Sequence, residues 1–256
     1  MIPTTDILLF EQRDAVAYLT LNRPDSLNAL SPALVADWNK AAKAIAQSPD
    51  IKVLVVQGAG RAWSAGVDLQ ALNESIQGGQ FAADQILKDG LQLIETLQAM
   101  PQVTIAAING FCFTGALEIA LAFDLIVAAD EARIGDTHAK WGIAPKWGMT
   151  QRLPQRIGLL KAMEMSFTTQ PISGTEAAAL GLANRSVPLA QLDQTVAQLA
   201  AQITQNSAQT IAAMKQLYYY GAHHTLHEGL EHEYQADIRI NDREEFLRDF
   251  KQNKKR

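Results

Sequence analysis

Three stretches of this 256-residue chain carry almost no polar side chain: IKVLVVQG at 51–58, VTIAAI at 103–108 and DLIVAA at 124–129. A strand that is apolar at nearly every position has both of its faces covered, which happens in parallel sheets flanked by helices. Helical periodicity fills the gaps between these runs. In LSPALVADWNKAAKAIAQ, Ser31 is placed to cap, Pro32 suits a first helical turn, and Leu34, Trp38, Ala41 and Ile45 fall on one face. A second amphipathic stretch covers 81–100 and is stopped by Pro101. Two β-prone runs at 7–12 and 15–22, hinged on Arg13-Asp14, predict an opening hairpin. The pattern predicts an α/β core with its ligand site beyond the carboxyl ends of the strands, where the loops after Val56 and Ile108 emerge.

From about Pro188 the text changes. LAQLDQTVAQLAAQI, AQTIAAMKQLYYYGA and TLHEGLEHEYQADIRI are helical in period with no strand between them. This divides the chain into an α/β core over 1–188 and a C-terminal helical region over 189–256, a lid or layer on the core or on a neighbouring subunit. SGTE at 173–176 predicts a capping box, with Gly181 ending that short helix.

Composition narrows the partners. The net charge of −5 gives no basic stripe for nucleic acid, so no nucleic-acid partner is expected. No apolar run approaches membrane-spanning length and the N-terminus lacks a basic, then apolar leader, so a soluble cytoplasmic protein without a membrane partner is expected. Cys112 is the single cysteine, which rules out an intrachain disulfide; it reads as a small packing residue.

Against this background CFTGALEIALAFD is unusual, because Glu118 stands alone in an apolar run. An ionised carboxylate is costly to bury unless it is paired or hydrogen-bonded, so Glu118 is either a structural cap or an acid/base group. Two loops bear on the choice. In WSAGVDL the Ala65-Gly66 pair follows one buried strand, and in NGFCFTGALE Gly115 opens a helix after another. Backbone N–H groups at such places lack internal partners; two of them converging on one point form an oxyanion hole.

These segments, together with LNRPDSLNAL, IAAINGFCFTGALEIALAFDLIVA, WGIAPKWGMTQRLPQRIG, ISGTEAAALGLANRSV and LHEGLEHE, resemble the crotonase, or enoyl-CoA hydratase/isomerase, superfamily over almost the whole chain. The resemblance implies a crotonase-like spiral of ββα units with a C-terminal helical region involved in assembly as a homotrimer or a dimer of trimers. It implies a coenzyme A thioester substrate, with coenzyme A as part of the substrate and no metal or redox cofactor. Carried over by position, the N–H groups of Ala65 and Gly115 would hold the thioester oxygen. Ala65, Gly66, Val67 and Asp68 would line the CoA segment, with Arg23 to Leu27 near the nucleotide end.

Glu118 matches the first of two catalytic glutamates in the family's hydratases. The position of the second falls on His138 in GDTHAKWG, and the family's glycine-rich turn is altered by Lys146 and Trp147. Three readings stay open here. His138 is the second acid/base; or Asp136 takes the role, sharing a face with it if the segment is extended; or Glu118 works alone and His138 shapes the pocket. Addition of water to an enoyl-CoA thioester is the expected reaction. Alternatives are double-bond isomerisation, another acyl-CoA lyase or hydrolase reaction, and an acyl-CoA-binding protein that has lost catalysis.

Other features receive plainer readings. Ser64 lacks the first glycine of a nucleophile elbow and reads as a turn residue. His223, His227 and His232 read as a solvated helix face rather than a metal clip. Arg248, Lys251, Lys254, Lys255 and Arg256, with Lys52 and Arg61, are candidates for CoA phosphates, against the plainer reading of a solvated chain end. Phe81, Ile86, Trp141 and Trp147 are candidates for shaping the acyl pocket.

Overall fold

The computed structural model describes residues 2–71, 73, 80–244 and 246–248, the side chains of 80–84 excepted. The opening hairpin is present as β1 (Leu8–Arg13) and β2 (Val16–Leu21), antiparallel, with Asp14 at φ 51° in the turn. A helix, α1 (Pro32–Ala46), follows with Ser31 accepting from the Leu34 N–H and Pro32 in its first turn. The long apolar runs form β3 (Val53–Gly58), β5 (Val103–Ile108) and β7 (Leu125–Ala129). With β10 (Arg185–Val187) they complete a six-stranded sheet in the order β1-β2-β3-β5-β7-β10, parallel from β2 onward.

Each long strand is followed by a short one: β4 (Ala62–Ser64), β6 (Phe111–Phe113) and β8 (Arg133–Gly135). These pair side by side in a second, four-stranded sheet closed by β9 (Ile172–Ser173). Successive chain turns therefore give one strand to each sheet, and stacking the turns produces the ββα spiral. The three-residue strands carry no readable alternation, which is why periodicity alone yields only strand, loop and helix.

Helix α2 (Gln80–Ala99) packs against α1, and α3 (Gly115–Ala120) follows β6 with all of its residues buried. Next come α4 (His138–Trp141), α5 (Met149–Ile157), α6 (Leu159–Thr168) and α7 (Gly174–Ala179), the last with the capping box between Ser173 and Glu176. Beyond β10 the chain is helical: α8 (Leu189–Thr204), α9 (Ala208–Gly221) and α10 (Leu226–Gln235). Leu192, Val196 and Ala200 of α8 are buried against the sheet, whereas α10 buries none of its residues. No helix among the described residues is long and apolar enough to cross a membrane.

Candidate active site

The loops after β4 and β6 meet. A Cβ on Gly66, whose φ is +93°, would lie 2.7 Å from the Phe113 carbonyl oxygen and 3.4 Å from the Gly115 nitrogen, so only glycine lets these backbones approach. A Cβ on Gly115 would lie 3.1 Å from a Val67 methyl and 2.9 Å from the Trp147 indole. Just before it, Thr114 holds φ 54° and ψ −116°, a costly conformation for a β-branched residue. Its backbone N–H donates to the Gly135 carbonyl at 3.0 Å and its hydroxyl shares a hydrogen bond with that of Thr137, so β8 and the start of α4 hold the strained residue in place.

One expected donor needs correction. The Ala65 N–H donates to the Leu27 carbonyl at 2.9 Å and is committed to folding the LNRPDSLNAL loop. Two residues on, Val67 forms a parallel bridge with Leu30 in which the bonds come from its neighbours: Leu30 N–H to the Gly66 carbonyl at 2.8 Å and Asp68 N–H to the Leu30 carbonyl at 3.1 Å. In parallel pairing the bridged residue's own N–H points away from that partner. The Val67 N–H has no acceptor among the described residues, and neither does that of Gly115 in the first turn of α3.

A cavity of about 630 Å³ opens at this junction, lined by Val67, Thr114, Glu118, His138 and Trp147, with Arg23, Ala65 and Asp68 also in its wall. Arg23 pairs with Asp68 at 3.0 Å. Leu27 and Gly66 shape the loops without lining the cavity; Leu27, at φ 51°, ends the short Pro24–Ser26 turn of 3-10 helix.

Glu118 is 2% exposed. Its Oε1 accepts from the backbone N–H groups of Trp147 at 2.8 Å and Met149 at 3.0 Å. Gly148 between them, at φ +102°, turns the chain so that both amides converge at the start of α5, and Arg152 holds the turn through the Trp147 carbonyl at 2.7 Å. The buried carboxylate thus sits at a helix N-terminus, which favours its charge. Oε2 faces His138 Nε2 at 3.5 Å, beyond a good hydrogen bond.

His138, 7% exposed, is anchored from its other side, where Nδ1 lies 2.6 Å from Asp136 Oδ1. Burial of the imidazole works against its charge, but Asp136 and Glu118 on either side outweigh that and lift its pKa to about 9. Burial likewise works against the Asp136 carboxylate. Hydrogen bonds from His138 and the Ser166 hydroxyl reverse the balance and hold its pKa below the ordinary value. The segment is not extended: β8 ends at Gly135 and His138 opens α4, so Asp136 grips His138 from behind instead of sharing its face, and Asp136 does not line the cavity.

Sequence reasoning missed the Trp147 and Met149 amides and Ser166. The glycine before a helix in APKWGMTQ was the available signal for the amides; Ser166 had none. Trp141 lines the cavity, 54% exposed, while Ile86 is buried away from it. Lys52 bonds the Thr204 carbonyl and Arg61 stacks over Phe111, and neither lines the cavity. The side chain of Phe81, and Lys251, Lys254, Lys255 and Arg256, lie outside the described residues. Ser64 accepts from the Gly66 N–H as a turn residue, and burial pushes the Cys112 thiol pKa up. His232 stacks on Tyr220, and no cluster of three metal-ligating side chains is found among the described residues.

A profile of the enoyl-CoA hydratase/isomerase family matches residues 11–252. The chain belongs to that family. It is an enzyme of this enoyl-CoA hydratase/isomerase group. Among its relatives, a probable peroxisomal enoyl-CoA hydratase of Arabidopsis thaliana is 33% identical over 80% of this chain and 75% of its own length. A short-chain-enoyl-CoA hydratase of Clostridium acetobutylicum is 32% identical over 82% of this chain and 79% of its own. The crystal structure of an enoyl-CoA hydratase from Bacillus anthracis superposes with a TM-score of 0.89 at 31% identity, covering 96% of both chains.

Proposed function

We propose that this enzyme adds water across the double bond of a 2-enoyl-CoA thioester, and that the N–H groups of Val67 and Gly115 hold the thioester oxygen. The observation that supports it most is the facing pair Glu118 Oε2 and His138 Nε2, 3.5 Å apart at the cavity wall, one a carboxylate and the other a ring whose pKa lies near 9. In this reading the protonated His138 ring serves as the acid and Glu118 as the base. Glu118 takes a proton from water as its oxygen bonds Cβ, and the π electrons move toward the carbonyl as enolate charge that the two amides stabilise. His138 Nε2 gives its proton to Cα. Glu118 is then protonated and His138 neutral, and transfer of that proton from Oε2 to Nε2 restores both, so water is the only reagent consumed.

CoA would enter past Arg23, Ala65 and Asp68. Assembly with further copies, as a trimer or a dimer of trimers, is supported by the outer faces of α6 and α10, where Leu160 is 83%, Phe167 69% and Tyr234 92% exposed. The direct test follows the ultraviolet absorbance of short and medium 2-enoyl-CoA esters beside 3-enoyl-CoA esters. Hydration of the first set is expected. Turnover of only the second would make the enzyme an isomerase, and turnover of neither would reject both reactions.

A further inference from the structure

Ser166 belongs to no motif, and it sits on α6, a helix that exposes the apolar Leu159, Leu160, Met163 and Phe167 beside the polar Glu164 and Thr168. Its hydroxyl nevertheless turns inward and donates to Asp136 Oδ2 at 2.7 Å. The other oxygen, Oδ1, accepts from the His138 backbone N–H at 3.1 Å and meets the ring Nδ1 at 2.6 Å. Asp136 is 3% exposed, and its carboxylate meets protein donors on both of its oxygens. A short carboxylate with donors on both oxygens cannot rotate about its last torsion without breaking a buried hydrogen bond. We propose that Ser166 is a positioning residue for the acid of this site: by pinning Asp136 it holds the His138 ring with Nε2 directed at Glu118 and the cavity.

This rests on the reading of His138 as the proton donor, yet the linkage itself exists in the ligand-free enzyme. The charged groups around the ring are few. Asp136 lies behind it and Glu118 in front. Lys161 and Glu164 of α6 pair with each other at 3.0 Å on the outer surface. Arg152 is turned to the Trp147 carbonyl and to Gln98, and Lys146 and Lys140 are exposed, the first at the cavity wall. Asp136 is thus the group whose geometry Ser166 controls. Freed from Ser166, it can swing, the Nδ1 contact lengthens, and the ring loses part of the support that keeps it protonated.

The test titrates His138 by NMR in the free enzyme, its resonance assigned by loss in His138→Asn, alongside the pH profile of kcat for a 2-enoyl-CoA. In Ser166→Ala the His138 titration and the alkaline limb of kcat should both move down together by about one pH unit, with KM little changed. Ser166→Thr, which keeps the hydroxyl, should restore both, and Asp136→Asn should move them further. An unshifted titration in Ser166→Ala beside a shifted one in Asp136→Asn overturns the proposal. Should no enoyl-CoA be turned over, the hydratase reading fails, while the NMR titration still decides the role of Ser166.

Discussion

Among the described residues, the ionic clusters around Lys215 and around Glu118 are built to opposite ends. In the first, Lys215 of α9 donates to the carbonyls of Leu97 and Gln102 and to Asp124 Oδ2, at 3.1, 3.0 and 2.9 Å. Asp124 also accepts from the Thr104 N–H and hydroxyl and from the Tyr219 hydroxyl. Each ammonium hydrogen is matched and both carboxylate oxygens are filled. Burial lowers the Lys215 pKa against the pull of Asp124, and raises that of the Tyr219 phenol. In the second, Glu118 is filled on Oε1 alone, and its remaining oxygen faces a proton donor across a gap. The first cluster clamps the tail helices to the core; the second keeps bonding capacity for something that enters. Size does not separate them, since the groove beside Lys215 is about 810 Å³ against 630 Å³ at Glu118. Unfinished polar geometry is the better guide to chemistry.

The contrast is broken or sharpened most strongly at Glu118. Glu118→Gln keeps the shape and the two amide contacts, yet should lower kcat for a 2-enoyl-CoA by roughly 10²–10⁴-fold while leaving CoA-ester affinity within a few-fold. Wild-type turnover in that variant would remove the base assigned here. Next in size, Lys215→Met leaves the mostly buried Asp124 charge without its counter-ion and should cost about 3 kcal/mol in denaturant unfolding. The kcat of the folded fraction should be unaffected, and a fall in kcat at unchanged stability would erase the distinction between the clusters. Smallest is the comparison of two prolines. Val67→Pro removes an N–H that folds nothing, so kcat should drop by roughly 10²–10³-fold in a normally folded protein. Ala65→Pro removes the bond to Leu27 and should appear mainly as lost stability. If the two variants exchange these effects, Ala65 is the donor after all.

Much of this was readable in the chain. The apolar runs became β3, β5 and β7, the Ser31 and Ser173 caps hold, and the solitary Glu118 is buried at the cavity wall. Those features are local: apolar periodicity, capping side chains and the cost of a buried charge act within a few residues and leave their mark in the text. The short strands of the second sheet, the choice of Val67 over Ala65 as the free amide, and the grip of Ser166 on Asp136 across thirty positions were left to the tertiary structure. Each depends on which backbone groups find partners from distant turns of the spiral. A sequence shows which donors and acceptors a segment carries, but only packing decides which remain unmatched, and at this site it leaves the Val67 and Gly115 amides without an acceptor among the described residues and one oxygen of Glu118 incompletely bonded.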